Sequence, residues 1–598
     1  MRPASERAAL IDVAMGYEPA DTVIENGVLV DVHTGQIRPE QVAIKNGRIA
    51  AVGDVAYTKG ADTAVIDAGG RYLVPGLVDP HLHQWHTYTN STVFAAANLL
   101  HGTTAVVDGF YGHSILTGVK SVRFFLDELK ATPVKALFVV PILSYTQNRF
   151  LGLPVAPNTP TAAELFEMLD WEETIGVEET GYDLLLDRER RDPELLALIE
   201  EALRRRLVVS GHGAGLPDDR SVNGFLAAGI TNNHELVAGP EAARQAQLGM
   251  VAVIREGASC GDTRLVGRAI TEGGLQSRAF LLCPDVVTTE AMFATGQQDE
   301  CIRAAVRSGI SPMSAIQMST IQPAEHFHLS HDIGLIAAGR AADIVFVDDL
   351  ALFSIYRVMA DGVVQVENGE LLWQAQQPEY PAYMYETMRV TRTLQAKDFN
   401  IAPRTAGPHA RVRAILVQDG LLESEELVVE EMPVVDGSVT ADPSQRINKI
   451  AMIDRVFGTE EIGISFVQGF DIADGAIGTS ANVFNQNVVV VGSNDEDMAV
   501  AANAIVAMRG GFVAVREGKV IADFPTPLNG LVSDLGVAET RSRITDLIAA
   551  WRELGCRLAT PQINLEFVTL VTIPRLRIST KGLVVIEGDG YTFVDTIL

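Results

Sequence analysis

Cysteine is scarce in this chain. Four residues in 598 (Cys260, Cys283, Cys301 and Cys556) are widely scattered and include no CxxC pair. That spacing excludes a disulfide frame and a thiolate zinc site, and reads as reduced thiols in a cytoplasmic protein. Basic charge is also short, with 47 Lys and Arg against 76 Asp and Glu, a net charge of −29. Such a balance argues against a nucleic-acid partner and against anionic membrane surfaces. No apolar run approaches the ~20 residues of a membrane helix. Residues 1–20 carry Glu6, Asp12 and Glu18, so no signal peptide is expected. Lysine is absent between Lys135 and Lys397, an absence that matters for the chemistry below.

What is present is length for two or three domains and a 47% hydrophobic content ordinary for a folded protein. Residues 21–73 read as short strands and turns. Asn26-Gly27 and Asn46-Gly47 each follow a β-branched run, a hairpin signal. The same pattern returns at Ala342–Val347 and Val363–Gly369. Residues 1–73 and 332–399 are therefore expected to form one small β-sandwich, split in sequence by a separate domain at 74–331.

In that middle region strand-like and helix-like segments alternate. The strand candidates are Tyr72–Val78, Thr103–Asp108, Lys135–Leu143, Thr174–Glu178, Leu207–Gly211, Gly229–Asn233, Met250–Arg255 and Ala279–Pro284. Most are unbroken apolar runs, as parallel strands buried on both faces should be. Helical segments such as Asp192–Arg206 and Glu241–Leu248 intervene. Eight units over roughly 260 residues fit a (β/α)8 barrel. A doubly wound sheet is the rival, and ligand-type residues at successive strand ends favour the barrel. Residues 400–598 are expected to form a C-terminal α/β domain, with a strand at Val488–Val491, a helix opened by Asn494-Asp495-Glu496-Asp497 and running to Met508, and a further strand after Gly510-Gly511.

The C-terminal ends of barrel strands are where catalytic groups sit. The first strand ends in His81-Leu82-His83, and residues two apart on an extended chain share a face. The fourth ends in Glu178-Glu179, the fifth in His212, the sixth in His234-Glu235 and the eighth in Asp285. Each alone could be structural. Together, His81, His83, His212, His234 and the carboxylates Glu179 and Asp285 suffice for one or two divalent metals with a position open to water. Many hydrolases of this architecture bridge two metals with a carboxylated lysine on the fourth strand. With no lysine available there, the bridge must be a carboxylate, Glu179 with Glu178 as the alternative. An uncarboxylated oxygen bridge favours harder metals, manganese or iron ahead of zinc, more than a thiolate site would. Ions so held acidify a water ligand. Asp285 can take its proton and pass it to a leaving group. Glu235 can protonate a ring nitrogen of the substrate, or merely orient His234.

These residues resemble the amidohydrolase superfamily, through Pro75–His83 and Gly334–Asp349, and more narrowly the adenine deaminase family. Segments similar to that family include His101-Gly102-Thr103-Thr104, Gly211-His212-Gly213, Ala228-Gly229-Ile230 with His234-Glu235, Ile254-Arg255-Glu256-Gly257, Ala315–Met318 with Thr320–Ala324, and Val490–Met498. The resemblance spans nearly the whole chain. It implies hydrolytic deamination at a purine 6-position, two iron or manganese ions, and ligands at His81, His83, Glu179, His212, His234 and Asp285. The chain departs from the family at Gln84-Trp85-His86-Thr87, at Gly109-Phe110-Tyr111-Gly112, at Pro284-Asp285-Val286 and at Val483–Asn487. Trp85, Tyr111 and Phe484, with Phe110, make an aromatic pocket suited to a flat heterocycle. Read alone, those replacements point to a heterocycle other than adenine. The expected function is thus hydrolysis of a C–N bond in a small nitrogen heterocycle, with adenine the leading substrate. Ring opening of a cyclic amide or imide is the alternative, and an inactive binding protein is the reading from another class. A homo-oligomer, dimer or larger, is also expected.

Overall fold

A computed structural model of the chain describes residues 3–151, 154–419, 424–571, 573, 575–587 and 590–598. Its centre is an eight-stranded parallel sheet in sequence order: Leu77–Asp79, Thr103–Asp108, Lys135–Val140, Thr174–Gly181, Val208–His212, Asn232–Asn233, Val251–Arg255 and Phe280–Cys283. Helices follow most strands. A parallel bridge between Leu82 and Asp285, with the His83 amide donating to the Asp285 carbonyl at 3.1 Å, joins the first and last strands at their C-terminal ends. Nearly every strand residue is buried, which is why these segments read as continuous apolar runs.

Several boundaries differ from the sequence reading, each for a local reason. The run Tyr72–Val78 is two strands. Tyr72–Pro75 pairs with Ile344–Val347, and only Leu77–Asp79 enters the barrel. The hand-over is fixed by Gly76 donating to the Asp343 carbonyl at 2.9 Å and Leu77 to the Gly102 carbonyl at 3.0 Å. The third strand stops at Val140 because Pro141 follows, and Ile142 opens a helix. The sixth shrinks to Asn232–Asn233, after the turn at Gly229 and Ile230. Helix Pro193–Arg204 starts where Asp192 accepts from the Glu194 and Leu195 amides, with Pro193 in its first turn.

The segments flanking the barrel are hydrogen-bonded into one nine-stranded sheet. Strands from 22–75 and from 344–371 meet where Tyr72–Pro75 pairs antiparallel with Ile344–Val347. The C-terminal region is richer in strands than an alternating α/β pattern. A second nine-stranded sheet, antiparallel except where His409–Leu416 meets Ile462–Gln468, carries the helices Asp495–Ala507 and Val537–Glu553. A three-stranded sheet closes the chain. Asn494 caps the first of those helices by accepting from the Asp497 amide. Among the described residues no helix is long and apolar enough to cross a membrane.

Candidate metal centre and its enclosing wall

The strand ends deliver six side chains to one point. His83 Nε2 lies 2.9 Å from Glu179 Oε1, and His81 Nε2 lies 3.3 Å from the same oxygen. Both imidazoles are 3.4 Å from Asp285 Oδ1. On the other side of Glu179 Oε1 stand His234 Nε2 at 3.4 Å and His212 Nδ1 at 3.9 Å. Among the described residues three groups could hold an ion: these six side chains form two of them, His81, His83, Glu179 and Asp285, and Glu179, His212 and His234, and the third is His83, Asp108 and Glu178. Glu179 is common to the first two. Its Oε2, His81 Nε2 and His212 Nδ1 are buried without a hydrogen-bond partner. Unpaired buried polar atoms of this kind call for a ligand, and a nitrogen and oxygen donor set fits a divalent cation.

The backbone explains why Glu179, and not its neighbour, occupies the centre. Val177 pairs with Val209 and Thr180 with Gly211, so Glu178 and Glu179 together stand opposite Ser210. This is a bulge, a device that re-aims a side chain beside a site. Glu179 takes φ 42°, and Asp285, Phe110, Phe484 and Gln486 also have positive φ. Such conformations are unfavourable for these residue types and gather where surrounding structure enforces them. Glu178 points instead toward Asp108 and Gly109, where a Cβ on residue 109 would lie 2.4 Å from its carboxyl group. Burial, reinforced by the charges of Glu179 and Asp108, drives Glu178 far above the ordinary carboxylate range. For Glu179, burial is outweighed by the charge of His83 and the close approach of His234, His81 and His83, which hold it well below that range. Asp285 is also held low, burial being overcome by His81 and by the charges of Arg255 and His83. The two adjacent glutamates thus have opposite tendencies, and the ionised one faces the four histidines.

Glu235 follows His234 and reaches back to the same place, with Oε1 3.4 Å from His234 Nε2 and 3.9 Å from His212 Nδ1. Burial opposes its ionisation, but Arg255 and His212 hold it at about 2. His212 has 35% of its side chain exposed, against 2–9% for the other five groups. The open side of the centre is therefore at the fifth strand.

The aromatic residues singled out from the sequence converge beside His83. Tyr111 meets it edge-on at 4.9 Å, Trp85 meets Tyr111 at 5.7 Å, and Phe484 stacks on Tyr111 at 5.4 Å. Gly112 is required by this packing, since a Cβ there would lie 2.6 Å from the Trp85 ring. Trp85 is completely buried, and its Nε1 has no partner.

Sequence reasoning missed the rest of this wall. Phe484 belongs to the C-terminal domain, and so do Gln486, which donates to the Gly112 carbonyl at 2.7 Å, and Glu566. Glu566 is fully buried, lies 2.8 Å from His86 Nδ1 and accepts from the Tyr88 hydroxyl. His86 stacks on Trp85 at 3.7 Å. Residues 478 positions apart leave no local signal of such a pairing. Arg255 was also missed as a site residue, although a charged residue ending an otherwise apolar strand was a legible sign.

A parallel barrel with histidines and carboxylates converging at its strand ends defines a metal-dependent amidohydrolase. Residues 72–365 match the amidohydrolase family, and residues 424–588 match the adenine deaminase C-terminal domain. Over 98% of this chain and 97% of theirs, it is 36% identical to an adenine deaminase of Moorella thermoacetica. It is 34% identical to adenine deaminases of Mesorhizobium japonicum and Rubrobacter xylanophilus, over 98% of this chain and 96% of each relative. Among solved structures, an enamidase aligns with 58% of this chain and 96% of its own at 20% identity and a TM-score of 0.44. The chain belongs to the adenine deaminase family of amidohydrolases.

Proposed function

We propose that this chain converts adenine and water to hypoxanthine and ammonia, and that Glu179 would be a ligand common to two divalent ions. One observation carries the proposal: Glu179 Oε1 sits between two histidine pairs, His81 with His83 and His212 with His234, beside Asp285. Near-full-length relatives named as adenine deaminases support adenine as the substrate over the other heterocycles that the aromatic wall could accept. His81, His83, Glu179 and Asp285 would hold one ion and Glu179, His212 and His234 the other. The oxygen bridge that Glu179 would supply suits harder ions such as manganese or iron.

Divalent ions in this set supply Lewis acidity and acidify a water ligand toward neutral pH. The protein's own groups do the rest. Asp285, ionised and 3.4 Å from His81 and His83, accepts the water proton and returns it to the departing amine. Glu235, held ionised by Arg255 and His212, takes the second proton of the water and passes it to the ring nitrogen beside the reacting carbon, so that negative charge does not build on the ring. Trp85, Tyr111 and Phe484 enclose the planar base, and a stacked or edge-on aromatic contact adds about 0.5–1.5 kcal/mol beyond burial. Buried Cys283, Cys301 and Cys556, all free, suit a reducing cytoplasm. Exposed Ile11, Met15, Tyr17 and Tyr57 on the N-terminal segments suit a homo-oligomer, to be checked by light scattering.

The test is to load the protein with manganese or ferrous iron and measure ammonia and hypoxanthine from adenine. A kcat/KM in the ~10⁴–10⁸ M⁻¹s⁻¹ range is expected. Ring opening of a cyclic amide would give a new carboxylate and no ammonia. A binding protein would give neither product and need not hold stoichiometric metal.

A further inference from the structure

Arg255 ends the seventh barrel strand, and 2% of its side chain is exposed. Its guanidinium touches three carboxylates. Nη1 lies 2.5 Å from Glu235 Oε1 and 3.5 Å from Asp285 Oδ2, and Nε lies 2.9 Å from Asp262 Oδ2. Glu235 and Asp285 are the two groups to which acid–base roles were given above. They lie beyond the ends of different strands, and neither pairs with the other's histidines. Among the described residues no other arginine or lysine pairs with any of the three acids.

The loop after Arg255 is folded to hold this fork. The Asp262 amide donates to the Arg255 carbonyl at 3.0 Å, which returns the Asp262 side chain to the guanidinium. The Glu256 amide donates to the Cys283 carbonyl at 2.9 Å and the Ala258 amide to the Val286 carbonyl at 2.7 Å. These bonds tie the loop to both sides of Asp285. The residues from 256 to 262 therefore fix the arginine relative to the eighth strand, and Asp262 fixes its rotation.

We propose that Arg255 is a positioning residue that locks Glu235 and Asp285 into one rigid frame, with Asp262 as its anchor. The assignment rests on the acid–base roles proposed for those two carboxylates. A guanidinium presents five N–H donors in a fixed plane, whereas an ammonium is a point charge that cannot span three acids in set directions. The two protons of the water must be carried separately, one by Asp285 to the departing amine and one by Glu235 to the ring nitrogen of the same bound base. A misplacement of about 1 Å in such a pair is worth roughly 10²-fold in rate.

The experiment compares Arg255→Met, Arg255→Lys, Arg255→Ala and Asp262→Asn with the wild type in the manganese-loaded enzyme. Metal per chain, hypoxanthine affinity, kcat and KM are measured for each. Arg255→Met is expected to keep its metal and its affinity for hypoxanthine while kcat falls about 10²-fold. Arg255→Lys should recover little of that loss. Methylguanidinium should raise kcat of Arg255→Ala and leave Glu235→Gln unchanged. Asp262→Asn removes only the anchor and should lower kcat several-fold with KM unchanged, which keeps the idea testable if the arginine variants fold poorly. A folded Arg255→Met with kcat within about twofold of wild type overturns the proposal, as does activity lost only in step with metal, or an Asp262→Asn variant indistinguishable from wild type. A wild type that makes no ammonia from adenine overturns the function itself. An active wild type beside a fully active Arg255→Met overturns the role of Arg255 alone.

Discussion

In the barrel, His81, His83, Glu179, His212, His234 and Asp285 lie within a strand's last residues or just beyond its end. In the C-terminal domain, the groups that face them, Phe484, Gln486 and Glu566, lie on a loop and a short helix with no common pattern. The two regions meet along a buried seam. The Ser533 amide donates to the Tyr88 carbonyl at 2.8 Å, and Asn90 Nδ2 donates to the Ser533 carbonyl at 3.0 Å. Asn529 Oδ1 accepts from the Thr117 hydroxyl at 3.1 Å. The contrast separates two tasks. A metal centre needs a few donor types at fixed offsets, which one fold supplies. An enclosing wall needs only shape and satisfied polar groups, which a second domain supplies from anywhere in the chain.

The largest break of this comparison is at the barrel floor. Replacing His81 and His83 together by Asn should abolish bound metal and hydrolysis while the far-ultraviolet circular dichroism stays that of the wild type. Next, Asp285→Asn should lower kcat by about 10²–10⁴-fold, the usual worth of acid–base catalysis, with some metal loss because Asp285 also lies in the first ligand group. On the wall, Glu566→Ala leaves His86 and Tyr88 without their buried partner. A buried donor left without its acceptor costs about 1–3 kcal/mol, read as a lower Tm, while metal per chain is unchanged. The smallest effect is expected for Phe484→Ala, a rise in KM for adenine of up to about tenfold, from the lost aromatic contact. Metal loss in either wall variant would erase the division between floor and wall.

How much was legible follows the same line. Strand-end ligands could be found because parallel strands are apolar throughout, so a histidine or acid at their end is conspicuous. The sequence preferred Glu179 with Glu178 left open; the bulge opposite Ser210 that aims the two apart is announced by no periodicity. Trp85, Tyr111 and Phe484 stood out as departures from a family pattern, but the stacking of Phe484 on Tyr111 needed the second domain in place. His86 with Glu566 was invisible because the pairing depends on how two domains dock. Tyr72–Val78 read as one strand because apolar continuity does not mark a change of sheet at Gly76.

Acid should expose the floor in another way. Glu235 is held at about 2 against an ordinary 4.5, and Glu179 and Asp285 are held low as well. A carboxylate depressed on folding stabilises the protein fully above its unfolded value, and that stability is lost as pH falls through the folded value. Tm should therefore drop between about pH 4.5 and pH 2, and Glu235→Gln should flatten part of that drop.

Metal stoichiometry, measured on the wild type and on Glu179→Gln, tests the central claim most directly. The wild type should hold two divalent ions per chain, and Glu179→Gln, which keeps the side-chain volume but weakens a shared anionic ligand, should fall toward one. Two ions retained at full occupancy in Glu179→Gln, or a single ion in the wild type, would contradict a centre bridged by Glu179.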